Sequence, residues 1–305
     1  MIFEGSHKVI AAIKEKKRLQ DAGQPHDHIR PLLYQGGGFM CGTYGVGAAL
    51  ALEEMGYRNC FSYIVGVSSG APTAGHFAAG SILQGAALVS EECCRPGFVN
   101  LWRFWNQVDA QHFMEVLRTD PQKGISVERA MQNPAELYFG VTEYKTAAPQ
   151  LLAPKNEEHF FMSMYASINM QNVSPHQVII DGTHYTDGGF SSPHVIGKTV
   201  AQLQPTHALI VTNNNREFSP VSPVERFLNN FVFRLRLNGV LAQAINTRGV
   251  ARDEAIAAVL ESDVEAAVVW GDSSIGSVEF NVEKVMSVME ASRTWWHGLF
   301  ALETD

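Results

Sequence analysis

Between Phe61 and Gly80 the chain reads FSYIVGVSSGAPTAGHFAAG. An apolar run through Tyr63, Ile64 and Val65 meets Gly66-Val67-Ser68-Ser69-Gly70, and small residues then continue in helical style. A junction this tight leaves no room for a loop, so the strand must end against the start of the next helix. That is half of a parallel βαβ unit. The preceding segments supply the other half. PLLYQ (31–35) predicts a strand, GGGFMCG a loop, and TYGVGAALALEEMGY (43–57) a helix with Val46, Leu50 and Met55 on its apolar side. RNCFSYIVGV then predicts the strand that enters the serine turn.

The rest of the chain extends this pattern. The start, MIFEGSHKVIAAIKEKKRLQ, predicts a short amphipathic basic helix, with AGQPHDHIR as its breaker. SGAPTAGHFAAGSILQGAALVSEECC predicts a helix packed closely on a sheet, and 97–135 mostly helix around Trp102, Phe104 and Trp105. ELYFGVTEY (136–144) and EEHFFMSM (157–164) predict strands. VIIDGTHYTDGGF (178–190) predicts a hairpin turning at D-G-T. HALIVTN (207–213) and AAVVWG (266–271) predict two more core strands in an otherwise helical remainder over 221–305. With no repeat, low-complexity tract or dividing linker, the expectation is one domain over 1–305. Its motif-bearing core would be about 31–215.

Composition narrows the function classes. The 305 residues are 46% hydrophobic and 18% charged, which suits a soluble globular chain able to bury a large core. A net charge of -8 and a pI of about 5.8 argue against nucleic acid as a partner, because phosphate contacts need a basic surface. Cys41, Cys60, Cys93 and Cys94 form no CxxC, and the adjacent pair suits neither zinc nor a disulfide framework. Free thiols in a reducing compartment are expected. No signal peptide is recognisable, and no apolar run approaches the ~20 residues of a membrane span. The expected setting is cytoplasmic, with peripheral membrane contact as a further option.

The pentapeptide Gly66-Val67-Ser68-Ser69-Gly70 is a G-x-S-x-G. A serine on a sharp strand-to-helix turn projects its hydroxyl above the sheet edge, and glycines relieve the crowding beside it. Ser68 is then the candidate nucleophile. Ser69 contributes a backbone N–H at a helix start, where an oxyanion is stabilised. The competing reading is a plain connection whose serines cap the helix. The Gly36-Gly37-Gly38 loop is not a dinucleotide fingerprint, because Cys41 stands where that needs glycine. It is not a P-loop either, because Thr43 follows Gly42 in place of lysine. Its uncovered N–H groups suit an anion nest, hence an oxyanion hole, or else a flexible turn.

A hydroxyl nucleophile needs a proton acceptor. In a histidine triad the late candidates are His207 and His297, and neither stands in a convincing catalytic loop. Asp187, in Asp187-Gly188-Gly189 at the end of the hairpin, is the sharper candidate. A carboxylate within reach of Ser68 can take the proton directly, and partial burial would raise its basicity. The plainer alternative is a turn aspartate.

The order of glycine loop, G-x-S-x-G elbow and D-G-G turn resembles the patatin-like phospholipase family. GGGFMCGTYGVGAALALEEMGY, YIVGVSSGA and YASINMQNVSPHQVIIDGTHYTDGGFSSP look like that family's blocks, in order, over 31 to about 215. The resemblance implies a three-layer α/β/α fold around a central, mostly parallel sheet. It implies a Ser68–Asp187 dyad, with Gly36, Gly37 and Gly38 holding the oxyanion. The dyad needs no metal or cofactor, and the substrate would be a lipid or other acyl ester. One feature departs from the family. Its loop usually reads G-G-G-x-R-G, whereas here Phe39-Met40-Cys41 separates Gly38 from Gly42, one residue longer and without arginine. That departure motivates the alternative of a weakly active or inactive scaffold binding lipid or a partner. Cys41 is read as a spacer, with an oxidisable thiol as the other possibility.

Residues 226–252 hold five arginines and no acid, with Phe227, Phe231 and Leu235 on one helical stripe and Arg226, Arg234 and Arg236 largely off it. This suggests either an interfacial helix on anionic lipid or a core-facing stripe with a solvated basic side. Trp295-Trp296 carries the same pair of readings. Oligomeric state has no signature in the sequence.

Overall fold

The computed structural model describes residues 1–100, 102–103, 106–171, 173–174, 176–216 and 237–302. In chain order the elements are β1 (Ile2–Gly5), α1 (Lys8–Asp21), β2 (Pro31–Gln35), α2 (Thr43–Glu54), β3 (Tyr63–Val67), α3 (Gly70–Ala79), α4 (Ile82–Ala87), α5 (Ala110–Thr119) and α6 (Val127–Met131). There follow β4 (Glu136–Glu143), β5 (Pro149–Leu152), α7 (Glu157–Ile168), β6 (Val178–Ile180), β7 (Thr183–Asp187), α8 (Ser192–Leu203) and β8 (His207–Asn215). The helix Gly239–Leu260 is α9, the strand Glu265–Gly271 is β9, and the helix Val282–Ala301 is α10.

Nine strands form one sheet in the order β1-β9-β8-β2-β3-β4-β7-β6, with β5 also on β4. The middle five, β9-β8-β2-β3-β4, are parallel, while β1, β5, β6 and β7 pair antiparallel at the margins. Period-2 alternation inside the buried strands sorts their side chains onto two faces. Leu33, Ile64, Leu209, Val211 and Val269 face the layer that contains α2, α3 and α10. Leu32, Tyr34, Val65, Val67, Ile210 and Val268 face α8 and α9. Helices on both faces of a mostly parallel sheet make the expected three-layer α/β/α architecture.

The hairpin turns at Asp181-Gly182, both with positive φ, the backbone that a two-residue loop needs to match strand twist. Other local expectations are corrected. The first residues, Ile2–Gly5, do not belong to the basic helix; they form an edge strand on β9, so residues from both ends of the sequence share one sheet. Arg58–Cys60 is a 3-10 turn, and β3 begins only at Tyr63. EEHFFMSM is helical: Asn156 accepts the His159 N–H as an N-cap, and Glu157 and Glu158 favour the positive end of the helix. Among the described residues of 97–135 the helices are α5 and α6, preceded by a Val99–Val108 bridge. The small-residue helix stops at Gly80, which takes the left-handed conformation that ends a helix, before α4 begins. The stripe Phe227–Leu235 and its arginines lie outside the described residues, as do Phe104 and Trp105. Trp296 is fully buried and Trp295 packs against the core, so the tryptophan pair closes α10 onto the body. Among the described residues no helix is long and apolar enough to cross a membrane.

Candidate active site

Between β3 and α3 only Ser68 and Ser69 remain. Ser68 has φ +54°, the left-handed region, which costs a non-glycine residue about 1–2 kcal/mol. Neighbouring bonds hold it there. The Ser68 N–H donates to Ser167 Oγ at 3.0 Å, and Ser167 Oγ donates to the Gly140 carbonyl at 2.7 Å. The Ala71 N–H donates to the Ser68 carbonyl at 2.8 Å. The flanking glycines are sterically required. A Cβ on Gly70 would stand 2.2 Å from the Gln35 carbonyl oxygen, and one on Gly66 would stand 2.6 Å from that of Gly70.

Strand register brings Asp187 to this turn. β3 pairs with β4 as far as Val67 opposite Gly140. β7 pairs with the next residue of β4, Val141, through Asp187. β5 occupies the other edge of β4, where Leu151 and Gln150 face Gly140 and Val141. β3 and β7 therefore end tip to tip on one edge, and the residues at the tips meet. Ser68 Oγ donates to Asp187 Oδ2 at 2.9 Å. The carboxylate is 2% exposed, and its other oxygen, Oδ1, accepts the Gly189 N–H. Its backbone is fixed too: the Asp187 N–H donates to the Asn169 carbonyl at 3.0 Å, and Thr142 Oγ1 donates to the Asp187 carbonyl at 2.8 Å. Gly188 fits because a Cβ there would lie 2.3 Å from the Gly140 carbonyl oxygen.

The glycine loop lies against the same hydroxyl. A Cβ on Gly37 would stand 2.7 Å from Ser68 Cβ and 3.3 Å from Oγ. Gly38 has φ +148°, a conformation suited to glycine. Gly36 differs from its neighbours: its N–H donates to the Val211 carbonyl at 2.9 Å and extends the β2–β8 ladder. No hydrogen bond among the described residues uses the N–H of Gly37, Gly38 or Ser69. Asn213 Nδ2 donates to the Gly36 carbonyl and anchors the loop from β8. In the longer segment, Phe39 and Met40 form a cavity wall, and Cys41 is buried with its Sγ 3.5 Å from the Ile275 carbonyl. Burial pushes that thiol's pKa up, which favours the spacer role over a reactive one.

Ser68 and Asp187 open onto a cavity with about 880 Å³ of unfilled space, counting its mouth. Its lining is largely apolar, including Val46, Leu88, Phe98, Phe113 and Ile168, and among the described residues no Lys or Arg contributes to it. Part of the wall is a π-helical stretch, Leu88–Cys93, that continues α4. Among the described residues no cluster of three or more His, Cys, Asp or Glu offers a metal site. All four cysteines are free and buried.

The triad histidines lie elsewhere. His207 opens β8 opposite Pro31 at the start of β2, so it stands at the sheet edge opposite the elbow, and its Nδ1 contacts Thr206 Oγ1 at 2.8 Å. His297 is on α10, 2.9 Å from Glu54 Oε2. Sequence reasoning missed the bracing residues Ser167, Thr142, Asn169 and Asn213. Each is an uncharged polar residue, and a pattern search has no way to foresee its partner.

No family model matches the sequence, and no curated protein matches it. Among solved structures, VipD from Legionella pneumophila aligns with 89% of this chain at a TM-score of 0.47 and 11% identity. The alignment covers 66% of that chain, so the present chain spans just under two thirds of its length.

Proposed function

We propose that the protein is a serine acyl-ester hydrolase of patatin-like type that acts on lipids through a Ser68–Asp187 dyad. The observation that carries this reading is the 2.9 Å contact from Ser68 Oγ to a buried carboxylate oxygen, made at a left-handed elbow. Asp187 takes the Ser68 proton as Oγ attacks the ester carbonyl, and a tetrahedral oxyanion forms. The N–H groups of Gly37, Gly38 and Ser69 receive that oxyanion, aided by the positive end of α3. Asp187 then returns the proton to the leaving alcohol, and water repeats the sequence on the acyl-enzyme. The largely apolar lining among the described residues supports an acyl chain as the bound portion, with the head group left outside.

Fluorophosphonate labelling of wild type beside Ser68→Ala, followed by p-nitrophenyl ester turnover, tests the proposal. Label present only in the wild type, together with turnover, is the expected result. An unlabelled, folded wild type would instead favour the second reading, a lipid- or partner-binding scaffold, which the arginine-free loop Phe39–Cys41 motivates.

A further inference from the structure

His76 lies two turns along α3 from the elbow and is fully buried, and it lines the cavity together with Ser69 and Thr73. Residues 69, 73 and 76 share one helix face, so the cavity follows α3 inward from the half-buried Ser68. Ser81 Oγ lies 3.1 Å from His76 Nδ1 and 3.4 Å from the His76 carbonyl oxygen. Nε2 is buried and without a partner. Burial drives the imidazole pKa down to about 3, so the ring stays neutral. Gly85 packs against its edge, where a Cβ would meet Cδ2 at 2.9 Å. The ring is therefore fixed in place on the cavity wall, among mostly apolar residues with Thr43, Ser69, Thr73 and Ser174.

We propose that the channel selects an acyl chain carrying a hydroxyl far from the ester, and that this hydroxyl forms a hydrogen bond with His76 Nε2. This rests on the acyl-hydrolase reading above. Seven residues of helix separate Ser69 from His76, about 10 Å at 1.5 Å each. An extended hydrocarbon of 1.52 Å bonds at 111° advances about 1.25 Å per carbon, so the hydroxyl belongs about eight to ten carbons along the chain. A plain chain of that length leaves Nε2 unmatched, whereas a hydroxyl near the carbonyl falls short of it.

The test compares p-nitrophenyl esters of decanoic, 10-hydroxydecanoic and 3-hydroxydecanoic acid on the intact protein. The wild type is expected to favour the 10-hydroxy ester over the plain one by about three- to tenfold in kcat/KM. It should not favour the 3-hydroxy ester. The ratio of 10-hydroxy to plain ester should fall below one in His76→Phe and recover in part in His76→Gln, which keeps an acceptor. A wild type that prefers decanoate, or a ratio unmoved by His76→Phe, would overturn the inference. The wild-type ranking decides alone if the variants do not fold. Calorimetry with the free acids on Ser68→Ala protein reads the same preference without chemistry. If no ester turns over and no phosphonate label forms, the hydrolase reading fails, while the affinity ratio of the acids still decides this one.

Discussion

Replacing Asp187 with asparagine separates the dyad from a histidine triad, and the structure dictates how the amide sits. The Gly189 N–H must still be accepted, so the asparagine oxygen takes the place of Oδ1. Its NH2 then faces Ser68 Oγ, where the carboxylate oxygen accepted at 2.9 Å. The new group donates to the hydroxyl and cannot take its proton. Loss of a general base lowers the rate by about 10²–10⁴, which is about 2.7–5.4 kcal/mol of barrier at 1.36 kcal/mol per decade. Stability should change far less. One hydrogen bond is reversed, a buried charge is removed and the Gly189 contact survives, so the net effect should stay within about 1 kcal/mol. The assay is kcat for p-nitrophenyl butyrate with thermal unfolding of the same samples. His207→Ala and His297→Ala serve as companions and should keep full turnover. An Asp187→Asn protein within tenfold of wild type, or equal losses in either histidine variant, would refute the dyad.

Other consequences follow from the same geometry. Ser68→Gly relieves the left-handed strain that Ser68→Ala retains; both should be inactive, and urea unfolding should find the glycine variant more stable by about 1 kcal/mol. Gly70→Ala places a methyl 2.2 Å from the Gln35 carbonyl oxygen, a backbone atom that cannot yield, and should cost at least about 3 kcal/mol or abolish soluble expression. His76 is held neutral with its pKa near 3, whereas in the unfolded chain it protonates near 6.5. The unfolded state thus binds a proton that the fold refuses, so stability should fall as pH drops below about 6.5, by up to about 1.4 kcal/mol per unit. Urea titrations across pH 4–7 should show a shallower slope for His76→Phe; equal slopes would refute the buried neutral imidazole.

Much of the fold was legible in the residues themselves. Apolar runs marked β2, β3, β8 and β9, because strands buried on both faces read as continuous hydrophobic stretches. The G-x-S-x-G stood out because only a residue without Cβ fits at 66 and 70, a local steric demand that the sequence states directly. Asp181-Gly182 announced its turn for the same kind of reason. The failures arose where tertiary packing decides. Residues 157–164 have an apolar content that suits either period, and the Asn156 cap with their place against β4 and β7 made them α7. Ile2–Gly5 is a strand only because β9 offers it an edge.

The candidate site divides along the same line. The residues Ser68 and Asp187, and the glycines around them, could be picked out from sequence, because the chemistry of a strained turn restricts which side chains fit there. Their meeting could not be. It depends on β7 taking up the edge of β4 at Val141, one residue beyond the Gly140 at which β3 leaves it, and that register is settled by the packing of the whole sheet. The spent N–H of Gly36 and the unmatched Nε2 of His76 were equally invisible, since a hydrogen bond belongs to two residues and a sequence displays them one at a time.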